Sequence, residues 1–392
     1  MVNLTVEKAF NVEELFAAAR KVGEVSEKEY KEAEANATVS QNVIDAIKDA
    51  DIHNLLLPKS YGGPQIDLKT YAKLIRIISK HNPSAGWLAS LYSIHNVWVS
   101  YLPKKARDEV AGKINADIFA PVGKVTDSGD HYILSGTYNF VSGCLYSDWI
   151  GVNAMIFEKG NSIPQQLCLV VQASDIKIVK NWDTLGLRGT GSNQIILENV
   201  RVPKYRVLNI TKIHTEYAPP EDLTSEDYPL FDMPFYSTTF MGFPNVALGG
   251  AQRLLEEFKK FTEKRTRLDM DGMKEKEHPR SQRVYATLQM KYIQAETLMN
   301  RYIEMLEQFD RDGDIGPADF GAIRAEIIQH CVDIATKVLL VMGGFATYRG
   351  NPVELFVRDV LCVGTHTTSL YEDQMSHFGR KLFGFDTTFA LG

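Results

Sequence analysis

The stretch THTTSLYED, residues 365–373, carries a histidine and a glutamate on neighbouring turns of chain, His366 and Glu372. The two groups belong to different chemistries. A desolvated carboxylate removes a proton from carbon while hydride leaves the adjacent carbon. An imidazole, with an unperturbed pKa of ~6.5, takes the proton of a phenol or an indole, or hydrogen-bonds a peroxide. A second histidine, His95 in LASLYSIHNVW, falls four residues after Leu91 on the apolar stripe of Leu88, Leu91 and Trp98. A lone histidine on such a stripe is commonly a satisfied core residue. With Trp87, Tyr92 and Trp98 beside it, it could equally wall a pocket for an aromatic molecule. Ser142-Gly143, closing SGTYNFVSG, and GTGS at 189–192 each read, taken alone, as turns.

Other patterns carry less. Asp310, Asp312 and Asp314 alternate in FDRDGDIGPADF, but Ile315 stands where a calcium loop needs glycine and Gly321 where it needs glutamate. That stretch reads as a helix–helix connection. Four cysteines (Cys144, Cys168, Cys331, Cys362) show neither CxxC nor metal spacing, as expected of core thiols in a reducing compartment. A net charge of −6 supplies no basic field for nucleic acid or an anionic membrane. EKRTRLDMDGMKEKEHPRSQR is a mixed-charge, solvated stretch. The N-terminus lacks a basic-then-apolar leader, and its apolar residues recur at helical spacing. No run reaches the ~18 apolar residues of a membrane span. A cytoplasmic protein is expected.

These residues must be positioned by three kinds of chain. Residues 1–116 read as helices: NVEELFAAARKVGEV, SQNVIDAIKDADIHNLLLP, LKTYAKLIRIISKH and SAGWLASLYSIHNVWVSYL carry apolar faces of period 3.6, and KKARDEVAGKI adds a short one. Residues 117–210 change character, with short Val-, Ile-, Tyr- and Phe-rich segments between Gly, Asp and Asn turns. This reads as an antiparallel β domain. Residues 211–236 are acidic and without period, a long loop of the kind that forms lids or subunit contacts. Residues 237–392 return to long helical patterns, a four-helix bundle. The fold class is α+β multidomain.

The order helical–β–helical, with WDTLGLRGTGSNQIILENVRVP closing the β domain, resembles the acyl-CoA dehydrogenase superfamily over nearly the whole chain. Within it, Phe140-Val141-Ser142-Gly143 followed by Ser-Asp-Trp, YGGPQIDL and GGFATYRGNPVELFVRD resemble the two-component flavin monooxygenases. These include the 4-hydroxyphenylacetate, 3-hydroxy-secosteroid and dibenzothiophene monooxygenases. The resemblance implies that Phe140, Val141 and Ser142 face the flavin ring, with Ser142 near its N5 edge. It adds Arg188, Thr190, Ser192, Gly343 and Gly344 as cofactor-binding residues, and Trp87, Tyr92, His95 and Thr367 as substrate-binding ones.

Three departures from the dehydrogenase pattern bear on the chemistry. FAPVGKVTDSGD replaces the usual flavin and thioester loop, EHPRSQRVYAT replaces the segment that grips the FAD pyrophosphate, and Leu340 replaces a glutamine before Gly343-Gly344. The weakened hold on the adenylate half suits FMN, or reduced flavin arriving from a separate NAD(P)H:flavin reductase; Arg280, Gln282 or Arg283 could substitute. Counting from Arg358-Asp359, the family's catalytic slot falls on His366-Thr367 and not on Glu372. The resemblance therefore implies an oxygenase component that uses reduced FMN or FAD and O2, by way of a C4a-hydroperoxyflavin, on a small aromatic or heteroaromatic substrate. His366, Ser142 and His95 are its expected catalytic residues, in a homotetramer built through the bundles. The alternative is an FAD-dependent acyl-CoA dehydrogenase or nitroalkane-type oxidase that needs Glu372.

Overall fold

The structure is a computed structural model that describes residues 11–157, 164–267 and 272–387. Residues 1–10 and 268–271, part of two stretches read above, lie outside the described residues. Among the described residues seven α-helices precede the sheet: α1 (Val12–Lys28), α2 (Tyr30–Asn36), α3 (Gln41–Asp49), α4 (Leu68–His81), α5 (Pro83–Ile94), α6 (Asn96–Ser100) and α7 (Lys104–Val110). Side-chain caps fix where several of them begin. Ser40 accepts from the Val43 amide, Asp67 from the Thr70 amide, and Asn82 from the amides of Ser84 and Ala85, with Pro83 supplying the first-turn φ of α5. The expected single helix over 84–102 breaks at His95 into α5 and α6.

The strands are β1 (Asn115–Asp127), β2 (His131–Val141), β3 (Trp149–Ile156), β4 (Gln165–Gln172), β5 (Lys177–Val179), β6 (Asn193–Pro203) and β7 (Val207–Asn209). They form one sheet in the order β5-β6-β2-β1-β3-β4-β7. The expectation of an antiparallel domain needs correcting at one seam, because β1 and β3 pair in parallel. After β2 turns back along β1, residues 142–148 carry the chain across the end of β1 to its other edge. The next strand must then run as β1 does. That crossing segment begins with Ser142.

The stretch 211–236 is more ordered than a periodless loop. It opens in α8 (Ile210–Glu216), capped by Asn209, passes a 3₁₀ turn (Pro229–Asp232), and enters α9 (Phe235–Thr239). Aromatic burial overrides the acidic, proline-bearing composition here: Tyr228, Phe231 and Phe235 are almost wholly buried. Among the described residues five helices follow where a four-helix bundle was expected: α10 (Gly242–Lys264), α11 (Pro279–Glu307), α12 (Pro317–Met342), α13 (Pro352–Gly364) and α14 (Tyr371–Leu382). Pro279, Pro317 and Pro352 each start a helix at its first turn. Pro317–Thr347 is long and apolar enough to cross a membrane, contrary to the expectation from apolar runs. Here it packs against α10, α11, α13 and α14 as a bundle helix.

Candidate active site

Trp87, in the first turns of α5, is the point where the helical layer, the sheet and the bundle meet. Its indole Nε1 donates to Ser142 Oγ at 3.1 Å. Its ring stacks on Phe243 at the start of α10, with centroids 4.5 Å apart. The His366 ring lies 5.7 Å from Trp87 and 4.3 Å from Phe243. Three residues far apart in the chain, Trp87, Ser142 and His366, are thus brought to one place. Beyond Phe243 the stack runs on through Phe240 and Tyr236. The 211–236 stretch therefore ends by building an aromatic wall.

Behind Ser142 stands a row of buried hydroxyls. Ser142 Oγ is 2.7 Å from Ser192 Oγ, Ser192 Oγ is 2.7 Å from Thr190 Oγ1, and Thr190 Oγ1 donates to the Leu187 carbonyl at 2.8 Å. The glycine-rich turn that carries these groups is tied down from below. The Leu187 amide donates to Asp359 Oδ1 at 2.6 Å, and the Tyr30 hydroxyl donates to Asp359 Oδ2. Leu187 and Phe140 both hold positive φ, 51° and 66°, at a cost of roughly 1–3 kcal/mol each. Gly143, at φ +70°, is needed for space as well, since a Cβ there would lie 2.2 Å from the Tyr92 hydroxyl. Gly186 likewise lets the turn press on α13, where a Cβ would meet the Arg358 carbonyl at 2.4 Å.

His366 follows α13 in a short non-helical link. Its Nδ1 lies 2.9 Å from Thr368 Oγ1 and accepts from the Thr368 amide at 3.4 Å, so it caps the 3₁₀ turn Thr367–Ser369. An amide can only donate, so this bond assigns the lone pair to Nδ1 and the proton to Nε2. Desolvation between Trp87 and Phe243, with a smaller contribution from the Arg324 charge, pushes the pKa down to about 4. At neutral pH His366 is therefore an uncharged hydrogen-bond donor through Nε2. Arg324 is wholly buried in α12 and holds the link in place by donating to the Thr368 carbonyl. Glu372 sits exposed in the first turn of α14.

The structure places the other expected residues as follows. Tyr92 is fully buried and donates its hydroxyl to the Gly143 carbonyl at 3.0 Å, which supports the Ser142 turn and does not wall a pocket. Val141 points into the sheet's own core, while Phe140 is 68% exposed with its edge on Trp182. The Arg188 guanidinium donates through Nε to the Glu34 carbonyl and through Nη1 to Asp183 and the Thr184 carbonyl. Thr367 is exposed, and Thr368 is the threonine that reaches His366. Gly343 and Gly344 precede α13 whereas His366 follows it, which separates them by the ~20 Å length of that helix. His95 lies ~12 Å along α5 from Trp87. Its Nδ1 is 2.5 Å from the Asn115 carbonyl, and its Nε2 is 3.2 Å from Asp117 Oδ2 without hydrogen-bond alignment. His95 Nε2, Asp117 Oδ2, Trp98 Nε1 and Asn115 Oδ1 are all buried without a partner among the described residues. Trp98 Nε1 and Asn115 Oδ1 each cost roughly 1–3 kcal/mol, while His95 Nε2 and Asp117 Oδ2 still face each other at 3.2 Å.

Phe243, Thr368, Arg324 and the Tyr30–Asp359 clamp were not anticipated. The Gly-Phe-Pro of α10 was the one available signal for Phe243; a buried Arg on a long helix leaves no comparable trace. A flavin ring asks for an apolar wall, polar groups at its N5 edge and a dry setting. Trp87, Phe243, exposed Phe140 and the Ser142 hydroxyl meet that requirement. No carboxylate bonds to Trp87, Ser142 or His366 among the described residues.

Residues 241–369 match the family model described as acyl-CoA dehydrogenase, C-terminal domain. The chain is 28% identical over 353 residues to a pigment production hydroxylase from Rhodococcus sp., covering 87% of this chain and 88% of that protein. It is 26% identical over 345 residues to the indole-3-acetate monooxygenase of Acinetobacter baumannii, covering 86% and 85%. Among solved structures, XiaF from Streptomyces sp. in complex with FADH2 superposes with a TM-score of 0.88 at 22% identity, over 96% of each chain. Dibenzothiophene monooxygenase (TdsC) from Paenibacillus sp. superposes at 0.78 with 18% identity, over 95% of this chain and 98% of that one.

Proposed function

We propose that this chain, a member of the acyl-CoA dehydrogenase superfamily on its flavin-dependent monooxygenase branch, is the oxygenase component of a two-component system acting on a small aromatic or heteroaromatic substrate. The observation that carries this reading is Trp87, which touches Ser142, His366 and Phe243 at once. That contact puts a hydroxyl for the flavin edge, a neutral imidazole and an aromatic wall together, with no carboxylate among the described residues bonded to any of them.

Reduced FMN or FAD, when bound, supplies two electrons to O2, so that one oxygen atom enters the substrate and the other leaves as water. NAD(P)H and a separate reductase regenerate it. The chain's own residues do the rest. Ser142 holds the cofactor's N5 edge, and Trp87 and Phe243 exclude water from the reacting face. His366 donates its Nε2 proton in a hydrogen bond beside that face. The resemblance made it either base or donor; the hydrogen bonds at Nδ1 favour the donor. Trp87 and Leu91 on α5 and His95 at its C-terminal cap recur every fourth residue, and Leu91 is only partly buried. An aromatic substrate lying along that face would offer a polar end to His95 and Asp117.

Gly343 and Gly344 lie too far from His366 to serve the same cofactor within one chain. Leu340, Phe345 and Tyr348 around them are 70%, 57% and 72% exposed. A homotetramer joined through the bundles would bring these glycines to a neighbouring copy's cofactor. The four free thiols suit a cytoplasmic setting.

The test is an anaerobic titration with reduced FMN and FAD, followed by oxygen in the presence of candidate phenols and indoles. Oxygen recovered as hydroxylated product, and lost to hydrogen peroxide in His366→Ala and Ser142→Ala, is the expected result. Firmly bound oxidised FAD that is bleached by an acyl-CoA, and needs Glu372, would overturn the proposal in favour of a dehydrogenase.

A further inference from the structure

The hydroxyl row behind Ser142 has a fixed polarity. At one end the Trp87 indole can only donate, and it donates to Ser142. At the other end the Leu187 carbonyl can only accept, and Thr190 Oγ1 gives it its proton. Each hydroxyl between them owns a single proton. Thr190 has spent its own, so at the Thr190–Ser192 contact Ser192 is the donor. Ser192 has then spent its proton, so Ser142 donates at the Ser142–Ser192 contact. Ser142 is left with one lone pair and no proton to offer.

We infer that this one-way chain through Ser192 and Thr190 holds Ser142 as a hydrogen-bond acceptor toward the cofactor, so that the site selects reduced flavin over oxidised flavin. Reduced flavin carries a hydrogen on N5 and meets the lone pair as a donor. Oxidised flavin presents a bare nitrogen there, and two lone pairs face each other. Ser192 and Thr190 act as positioning residues: neither needs to touch the cofactor, and their effect reaches it through the direction of one proton. The Leu187 carbonyl that terminates the chain is itself fixed, because the Leu187 amide is held by Asp359 and the carbonyl also accepts from the Trp182 indole at 2.9 Å. The inference rests on the reading that places flavin at Ser142. It adds a reason for a two-component enzyme to take up its cofactor reduced and release it oxidised.

The polarity predicts what single changes do. In Thr190→Val the shape is kept, but the chain loses its terminal donor and Ser192 loses its acceptor. Ser192 can then turn and donate to Ser142, which frees the Ser142 proton to point at the cofactor. Thr190→Ser keeps the hydroxyl and the direction.

The experiment is an anaerobic equilibrium titration of the full chain with oxidised and reduced FMN and FAD, read as the ratio of the two dissociation constants. Wild type should bind the reduced form tighter, by about tenfold from this contact alone. Thr190→Val should lower that ratio about tenfold or reverse it, while Thr190→Ser leaves it within about twofold. A purely structural role would weaken both redox forms together and leave the ratio where it was. Should the valine variant fail to fold, Ser192→Ala takes its place: it frees the Ser142 proton and should lower the ratio likewise. Binding of reduced flavin with a ratio unchanged in both variants would overturn this inference and leave the proposed function standing. Failure to bind either redox form of either flavin would overturn both.

Discussion

Replacing Asp359 by asparagine should remove a specific pH dependence from the protein's stability. Asp359 is wholly buried in α13; desolvation raises its pKa from 3.8 to about 7, while the bonds from Tyr30 and Leu187 pull the other way without prevailing. The sign follows from proton counting. Between pH 3.8 and about 7 the unfolded chain has released this proton and the folded chain keeps it. Stability therefore falls as pH rises through that window, by about 1.4 kcal/mol per unit, and the loss is complete above the folded pKa. From pH 5 to pH 8 this one group should cost the wild type about 3 kcal/mol. The asparagine side chain has nothing to ionise, and its amide oxygen can still accept from the Leu187 amide. Urea unfolding of both proteins at pH 5 and pH 8, with unchanged m, measures the difference. Asp359→Asn should gain on the wild type by several kcal/mol between the two pH values. A constant difference between the two proteins would refute the argument, and with it the view that the carboxyl is the strained member of the clamp beneath the glycine turn.

Four further outcomes are expected. Trp87→Phe keeps the stack on Phe243 and loses one hydrogen bond, costing about 1 kcal/mol in urea unfolding, whereas Trp87→Ala opens a cavity and should cost about 3–5 kcal/mol. Nitrogen-15 shifts of labelled His366 should report a neutral ring protonated at Nε2 from pH 5 to 8; a titration near ~6.5 would contradict the lowered pKa, and a neutral ring protonated at Nδ1 would contradict the assigned tautomer. Glu372→Gln should leave turnover within about twofold, since an exposed carboxylate with no tie to the Trp87 cluster has no proton to move there; a thousandfold loss revives the dehydrogenase reading. Leu340→Asp together with Phe345→Asp should dissociate the proposed tetramer on sedimentation; a tetramer that persists, or a wild type that sediments as a monomer, would refute a contact at this end of the bundle.

Much of the architecture was legible in residue patterns, for local reasons. Period-3.6 apolar faces with Ser40, Asp67 and Asn82 before them and prolines at first turns specify helix and start point together. His366 is set apart from Glu372 only through the resemblance, whose spacing from an Arg-Asp pair is counted from Arg358-Asp359. What sequence could not supply was the sense of proximity between distant segments. Nothing local indicates that Trp87 meets Ser142, that Phe243 covers both, or that Thr368 rather than Thr367 turns toward the imidazole. The parallel β1–β3 seam, the break of the helix at His95 and the order within 211–236 were also decided by packing, where burying aromatic surface outweighs an acidic composition. Above all, a hydroxyl's direction is not a property of serine. Ser142 is an acceptor because a tryptophan from one element and a carbonyl from another stand at the two ends of its chain, and only the folded structure puts them there.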